Sequence, residues 1–377
     1  MTNITHIVDS FYPAPSATKY AHISSEFPMH RGESLNQLTI AYETWGELNA
    51  DRSNALFIFT GLSPSAHAAS SDRDKSQGWW EFMIGPGKPI DTNIYYVICM
   101  NSLGSCFGTT GPASLNPATQ KPYRLDFPDL TIEDIANAGY QLLQHLQIRQ
   151  LDTLLGVSLG GMSALAASIM HSGISRRLIL ISSASSSTAY AIAIRSLQRE
   201  MIVNDPMWLE GNYRFDKPPA SGMKMARKMG LSSYRSADEW QQRFGRKRIT
   251  SQPKKPFGAE FEVQSYLEYN SEKFIGSFDP NCYLYLSRAM DWFEACSHGE
   301  GVLENAFEKI VLDHVLIIGV ESDSLFPIWQ QQELAEAMRS SGHQVSYAAL
   351  ESIHGHDAFL VDETEFAPLL KNFLNNK

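Results

Sequence analysis

The stretch LLGVSLGGMSALAAS, residues Leu154 to Ser168, places one serine between two glycines and joins an apolar run to an Ala-rich segment of helical character. Residues 156–160 fit the pattern G-x-S-x-G. In that pattern the glycines let a strand and a helix approach closely, while the serine occupies a strained turn and points its Oγ outward. The N–H groups at the start of such a helix favour a negatively charged oxygen. The stretch therefore predicts that Ser158 is a nucleophile; a Gly-rich packing turn would have the same short pattern.

Apolar runs that alternate with helical segments surround this turn. A helical spacing of apolar residues over 132–146 precedes it, and the pattern returns after residue 313 with a further apolar run, a helix at 330–340 and a strand at 345–350. Such alternation predicts a parallel sheet covered by helices on both faces. The predicted strands before residue 185 are Asn54–Thr60, Ile94–Met100, Leu151–Leu155 and Leu178–Ser182.

The sequence between Ser183 and about Phe307 has a different character. It is rich in Arg, Met, Tyr and Trp and lacks the period-two pattern of strands, whereas helical signals occur at 192–202, 223–229, 237–244 and 284–295. We therefore predict an α/β core in two parts, residues 1–185 and 308–377, interrupted by a helical insertion at 186–307.

A serine hydroxyl needs a histidine that is oriented by a carboxylate. The strand-like HVLIIGV is followed by Glu321-Ser322-Asp323, and Asp323 is the predicted acid, because Glu321 comes too soon after the strand and Asp313 precedes it. Asp323 could instead cap a helix. The predicted base is His356, which precedes the apolar run AFLV, while His354 is expected to be a neighbouring polar residue.

The order serine, acid, histidine is that of the α/β-hydrolase fold, which we predict here, with the helical insertion as a lid over the site. The second oxyanion donor of that fold comes from the loop after an early strand. We expect the backbone N–H of Leu62, in FTGLSPSAHAAS, to act with that of Leu159. His67 on the same loop is expected to be structural.

Composition excludes several classes of function. The chain of 377 residues has a net charge of −10, which disfavours nucleic acid and anionic membrane surfaces as partners. No apolar segment is long enough to span a bilayer, and residues 1–20 carry no secretory signal pattern. The four cysteines have no CxxC spacing, which disfavours zinc and redox pairs. We expect a cytoplasmic protein without metal or cofactor.

Several blocks, in order along nearly the whole chain, resemble the homoserine O-acetyltransferase family of α/β-hydrolase-fold acyltransferases. The resemblance implies a transferase with an acyl-enzyme intermediate, an acyl-CoA co-substrate and a helical lid that mediates homodimer formation. It places the triad on Ser158, Asp323 and His356, and it implies that Arg227 and Asp357 hold the amino-acid acceptor. The blocks are AYETWGELNADRSNA, GWWEFMIGPGKPIDT, GTTGPASLNPATQKPY, GVSLGGM, MARKMGLSSYRS and GHDAFL.

The departures from that family resemble its serine O-succinyltransferase branch. Where typical members have H-A-L-[ST]-G-D-A-H, this chain has T-G-L-S-P-S-A-H, and residues 191–200 and 278–293 also resemble that branch. The homoserine O-succinyltransferase branch usually has a Trp-Arg pair after the acid, and this chain has Ser324-Leu325. We expect the loop Gly61, Leu62, Ser63 and Pro64 to govern specificity, with Pro64 narrowing the acceptor end.

The expected reaction is a ping-pong transfer from succinyl-CoA to L-serine. Four alternatives stay open: transfer from acetyl-CoA to L-homoserine, homoserine O-succinylation, hydrolysis by an esterase or thioesterase with the same triad, and a non-catalytic binding role. Serine and homoserine differ by one methylene, worth about 0.8 kcal/mol of burial, so the residues alone do not separate them. They also leave open which cation would hold a succinyl carboxylate.

Overall fold

A computed structural model describes residues 12–250 and 256–375. Residues 1–11 of the first predicted core segment and residues 376–377 of the second lie outside these ranges. Residues 1–11 also belong to the stretch in which the sequence shows no secretory signal pattern. Eight strands form one sheet in the order β1-β2-β4-β3-β5-β6-β7-β8. They are β1 Lys19–Ile23, β2 Leu38–Trp45, β3 Ala55–Phe59, β4 Tyr96–Met100, β5 Leu151–Val157, β6 Ser175–Ile181, β7 His314–Val320 and β8 Val345–Leu350.

The sheet is parallel from β4 to β8, and β2 runs antiparallel to both of its neighbours. Every residue of β3 is buried, and β5 and β6 are almost entirely so. Strands of this kind are continuous apolar runs because helices cover both faces of the sheet. Two separate apolar clusters, one on each face, confirm the predicted α/β core.

The helices observed in the described residues number eleven when short 3₁₀ turns are left aside. The first begins at Thr131, whose hydroxyl accepts a hydrogen bond from the N–H of Asp134 while the Asp134 carboxylate accepts from the N–H of Thr131. The helices are α1 Ile132–His145, α2 Leu159–Met170, α3 Ala189–Val203, α4 Ala220–Tyr234, α5 Ala237–Phe244, α6 Glu262–Phe274, α7 Pro280–Trp292, α8 Leu303–Phe307, α9 Ile328–Ser340, α10 Ala358–Val361 and α11 Glu363–Asn375. None of them combines the length and apolar character that a bilayer crossing needs.

The described part of the chain between β6 and β7 contributes no strand to the large sheet and carries helices α3 to α8. We call this segment, residues 182–313, the helical insertion. The patterns had predicted α3, α4, α5 and α7 within a few residues, but neither α6 nor α8. They also missed β1 and β2, which form the antiparallel edge of the sheet.

The parallel strands fix where the functional residues lie. The carboxyl ends of β3, β5, β7 and β8 meet at one edge of the sheet, so the loops that follow these strands are neighbours in space although they are far apart in sequence. Those loops carry Gly61–Pro64, Ser158, Asp323 and His356–Asp357 respectively.

Candidate active site

Ser158 occupies the turn between β5 and α2 with φ 55° and ψ −121°, a conformation that side-chain-bearing residues rarely adopt. Its N–H donates to the carbonyl of Ile181 at 2.9 Å, which holds the turn against the next strand. A Cβ added at Gly156 would lie under 3.0 Å from the Gly160 carbonyl, and one at Gly160 under 3.0 Å from the Phe59 carbonyl. Both glycines are therefore required by the close approach of backbone to backbone.

The three predicted triad residues lie within hydrogen-bonding distance of one another. His356 Nε2 is 2.8 Å from Ser158 Oγ, and His356 Nδ1 is 2.7 Å from Asp323 Oδ2. An ionised carboxylate only accepts, so Nδ1–H donates to Asp323 and Nε2 is left to accept the serine proton. Burial lowers the pKa of His356, but the Asp323 carboxylate outweighs burial and the pKa is raised above its usual value. The same carboxylate would stabilise an imidazolium at His356 if the serine proton were transferred to it.

Asp323 is fully buried and is oriented by the turn that follows it. Its Oδ1 accepts from the N–H groups of Leu325 and Phe326, both at 2.9 Å, so the carboxylate does cap the next turn as well as contact the imidazole. The rejected candidates lie elsewhere: Asp313 pairs with Arg176 at the surface, and Glu321 is exposed.

The other histidines of these loops contact carboxylates away from the serine. His354 Nδ1 lies 3.4 Å from Glu239 Oε2. His67 is buried, with Nδ1 2.9 Å from Glu43 Oε2 and Nε2 3.0 Å from the carbonyl of Ser76, an arrangement that ties the loop after β3 to β2. In this structure neither imidazole takes the place beside Ser158 that His356 occupies.

The loop after β3 passes directly over the serine. A Cβ added at Gly61 would lie 3.9 Å from Ser158 Cβ. Within residues 12–250 and 256–375 the N–H groups of Leu62 and Leu159 donate to no protein acceptor. Two unpaired donors beside a nucleophile are what an oxyanion requires.

A cavity opens at the triad between the sheet edge and the helical insertion. One wall consists of core residues, including the predicted specificity loop, and the other of side chains from α3, α4 and α7. No group of three or more His, Cys, Asp or Glu in the described residues is arranged to hold a metal ion. The residues around the cavity include Gly61, Leu62, Ser63, Pro64, Ser158, Ile194, Arg195, Gln198, Arg227, Tyr234, Tyr283, Met290, Phe326, His356 and Asp357.

Arg227 and Asp357, the two residues expected to hold the acceptor, both line this cavity. The Arg227 guanidinium lies 4.6 Å from the centre of the Phe274 ring, and its buried Nε has no hydrogen-bond partner among the described residues. Burial raises the pKa of Asp357, and the guanidinium of Arg235 is the largest of the groups that oppose this effect. The cavity thus presents one guanidinium and one carboxylate beside the triad.

Arg195 is a second cavity-lining guanidinium, and the motif analysis did not identify it. It is 6% exposed, and its Nε donates to Asp291 Oδ1 at 2.6 Å while Nη2 donates to Ser187. Arg199 shares the same carboxylate through Oδ2 at 2.7 Å. Its signals in the sequence were its position after the apolar start of α3, AYAIAIR, and its place within residues 191–200, which resemble the serine O-succinyltransferase branch.

The chain is similar to known proteins of the same fold over nearly its whole length. The model of the alpha/beta hydrolase fold family matches residues 54–354. A serine O-succinyltransferase of Litchfieldella anticariensis is 53% identical over 362 residues, covering 96% of this chain and 99% of the relative. A serine O-succinyltransferase of Stenotrophomonas maltophilia is 52% identical over 363 residues, covering 96% and 98%.

Solved structures show the same architecture. A homoserine O-acetyltransferase from Bacillus anthracis has a TM-score of 0.88 at 28% identity and covers 96% of this chain and 98% of its own. Esterase E22 has a TM-score of 0.85 at 28% identity, covering 95% and 99%. Transferases and hydrolases therefore share this fold, and side chains must distinguish them.

Proposed function

The chain belongs to the homoserine O-acetyltransferase-like family of α/β hydrolases and is an acyltransferase of the homoserine O-acyltransferase type, and we propose that it transfers the succinyl group of succinyl-CoA to the hydroxyl of L-serine. The relatives that share about half of its residues over nearly their full length carry this activity in their name. The site chemistry gives independent support.

The triad geometry supports a two-step transfer. His356 takes the proton of Ser158 Oγ, the oxygen attacks the thioester carbonyl, and the N–H groups of Leu62 and Leu159 stabilise the oxyanion. Coenzyme A leaves as the thiol with the proton from His356. The serine hydroxyl then attacks the succinyl ester on Ser158 after losing its proton to the same imidazole, and O-succinylserine is released.

The charges around the cavity carry the choice of substrates. A succinyl-enzyme with L-serine bound presents two carboxylates and one ammonium group to the protein. The cavity offers two guanidinium groups, Arg195 and Arg227, and one carboxylate, Asp357. With an acetyl donor, Arg195 would have only the Asp291 carboxylate, which it shares with Arg199, whereas a succinyl carboxylate would supply a second anion for these two guanidinium groups.

Electrostatic coupling suggests how these groups are divided. The charge of Arg227 lowers the pKa of Asp357, so these two groups are near enough to bind one zwitterion together. The Arg227 guanidinium would bind the carboxylate of the amino acid through two hydrogen bonds, and Asp357 would bind its ammonium group. Arg195 instead acts on the pKa of His356, which places its charge near the reacting ester. We therefore assign Arg227 and Asp357 to the acceptor and Arg195 to the free carboxylate of the succinyl group.

The insertion would also serve as the lid that keeps water from the ester. The proposal includes a homodimer formed through the helices of the insertion and a cytoplasmic location. Hydrolysis is the main rival, because the same triad can pass the acyl group to water.

A matrix of succinyl-CoA and acetyl-CoA against L-serine and L-homoserine, with products identified by mass, tests the proposal. We expect O-succinylserine to be the main product. When serine is present, the rate of O-succinylserine formation should exceed the rate of free succinate release. Ser158→Ala should form no acyl-enzyme. Equal release of succinate with and without amino acid would favour a hydrolase, and O-acetylhomoserine as the main product would favour the acetyl alternative.

A further inference from the structure

Four polar side chains, an arginine, two carboxylates and a histidine, form a continuous chain behind the acceptor end of the cavity. Arg235 Nε lies 3.2 Å from Asp357 Oδ2, and its Nη1 donates to Glu239 Oε1. Glu239 Oε2 is in turn 3.4 Å from His354 Nδ1. Arg235 and Glu239 belong to the helical insertion, whereas His354 and Asp357 belong to the loop that carries the catalytic imidazole. The chain therefore joins two parts of the molecule that form opposite walls of the cavity.

The backbone around Arg235 is held firmly on the triad loops. The hydroxyl of Ser236 donates to the carbonyl of Ile353, and that of Ser324, next to Asp323, donates to the carbonyl of Ser233 at 3.2 Å. Gly355 has φ +60°, and a Cβ there would lie under 3.0 Å from the carbonyl of Tyr234. Arg235 is thus presented to Asp357 from a fixed backbone rather than from a free side of the insertion.

The contact between Arg235 and Asp357 leaves the carboxylate able to bind a ligand. Arg235 Nε is buried and makes an ion pair with Asp357 without the alignment of a hydrogen bond. Among the described residues no N–H or O–H group donates a hydrogen bond to either oxygen of Asp357, although Asp357 lines the cavity. A carboxylate that is ion-paired on one side and has unfilled acceptors is ready for an ammonium group.

We propose that Arg235, steadied by Glu239, is a positioning residue that keeps Asp357 ionised and aimed at the ammonium group of the acceptor. This inference rests on the proposed function. The charged contacts of Arg235 are with Asp357 and Glu239, so its effect should fall on the acceptor half-reaction; because the Asp357 carboxylate also raises the pKa of His356, the donor half-reaction is compared at a pH above the acidic limb. Burial raises the pKa of Asp357 and Arg235 opposes this rise, so a protein without the guanidinium would lose the carboxylate charge at a higher pH.

The test compares Arg235→Gln with Arg235→Lys in the full chain. The succinyl-enzyme burst from succinyl-CoA alone reports the donor half-reaction, and its amplitude reports the fraction of correctly folded sites. For Arg235→Gln we expect an unchanged burst rate, a KM for L-serine about 10- to 100-fold higher, and an acidic limb of kcat/KM for serine at higher pH. Arg235→Lys should recover part of the loss, because it restores the charge without the planar fork.

A matched control is Arg243→Gln, which removes a guanidinium that contacts the same Glu239 at 4.0 Å but is 45% exposed. We expect this variant to behave like the parent protein. A second probe is 3-hydroxypropionate, an acceptor that lacks the ammonium group. The preference for L-serine over 3-hydroxypropionate should shrink in Arg235→Gln by the same factor as the KM for serine rises.

The outcomes separate this inference from the proposed function. If the parent protein transfers succinyl to serine while Arg235→Gln keeps the parent KM, acidic limb and preference for serine, Arg235 has no positioning role. If burst rate and serine KM worsen equally, Arg235 supports only the fold of the site, which also overturns the inference. If the parent protein transfers nothing to serine, the proposed function fails and this inference fails with it.

Discussion

Replacement of Arg195 by methionine is the sharpest perturbation of donor choice. The side chain is buried, lines the cavity and contacts Asp291 and Ser187, so methionine removes the charge while filling much of the space. Asp291 keeps Arg199 as a partner at 2.7 Å, so no carboxylate is left without a cation. The variant should therefore fold, with a modest loss of stability.

The size of the effect follows from the interaction that is lost. A hydrogen bond to a charged group contributes about 1.5–3 kcal/mol, and the free carboxylate of a succinyl group would lose at least one such bond. A loss of about 3 kcal/mol lowers kcat/KM for succinyl-CoA by about 100-fold. Acetyl-CoA has no carboxylate to lose a partner, so its kcat/KM should change by less than about threefold.

The assay is the rate of coenzyme A release with each donor, at saturating L-serine and across a range of pH. The pH range matters because Arg195 lowers the pKa of His356, so its removal should move the acidic limb to higher pH for both donors. The plateau values above that limb give the donor ratio free of this effect. Arg199→Met is the control variant. It also removes a guanidinium that contacts the Asp291 carboxylate, but Arg199 does not line the cavity.

The result that would refute the assignment is an unchanged ratio of succinyl to acetyl transfer in Arg195→Met. An equal change of ratio in Arg199→Met would also refute it, because the effect would then come from Asp291 and not from a guanidinium that touches the donor.

Three further predictions concern the triad and its supports. The kcat/KM for the donor should fall as the pH drops through the raised pKa of His356. Asp323→Asn removes the main cause of that raised pKa, so it should move the acidic limb to lower pH and reduce the rate about 10⁴-fold. The pH profiles of both proteins check this. Gly160→Ala should destabilise the protein by more than about 3 kcal/mol in urea unfolding, because the added Cβ would overlap a backbone carbonyl. Gly61→Ala should unfold like the parent, because its Cβ would meet ordinary contacts at 3.8 Å or more. His67→Ala leaves the Glu43 carboxylate buried without its imidazole, and urea unfolding should show a loss of about 3–5 kcal/mol that is smaller when Glu43 is also changed to Gln.

The elbow at Ser158 was predictable because its signal is local. The glycines, the preceding apolar strand and the following helix all lie within fifteen residues, and each reports a steric need of the same turn. Asp323 and His356 were predictable for a related reason, since each follows a strand that the apolar pattern marks. The end of a parallel strand can be located in the sequence because the apolar run stops there, and the fold brings the carboxyl ends of such strands together.

The charged residues of the insertion could not be predicted in this way. Arg195 and Arg235 look like ordinary helix charges, and only packing reveals that the first is buried against Asp291 and the second against Asp357. Their partners lie 96 and 122 residues away in sequence (291 − 195 and 357 − 235). The antiparallel edge strands β1 and β2 were missed because neither is set between helices, so they lacked the alternation on which the other strands were recognised.

These differences in predictability follow a division of labour within the site. In the proposed reaction the core supplies the nucleophile, the base, the acid and the oxyanion donors, groups that any acyl substrate would need whatever its acyl group or acceptor. The insertion supplies Arg195 and Arg227, which we propose to bind charges on the substrates, and Arg235, which we propose to orient Asp357. Water has no charge for the acceptor-binding groups to hold, so Arg227 and Arg235 would lower the barrier to transfer without lowering the barrier to hydrolysis, whereas Arg195 would serve both reactions because the succinyl group is present in each. Selection for transfer over hydrolysis therefore acts on charges that lie across the cavity from the triad, where substitution leaves the elbow and its hydrogen bonds intact.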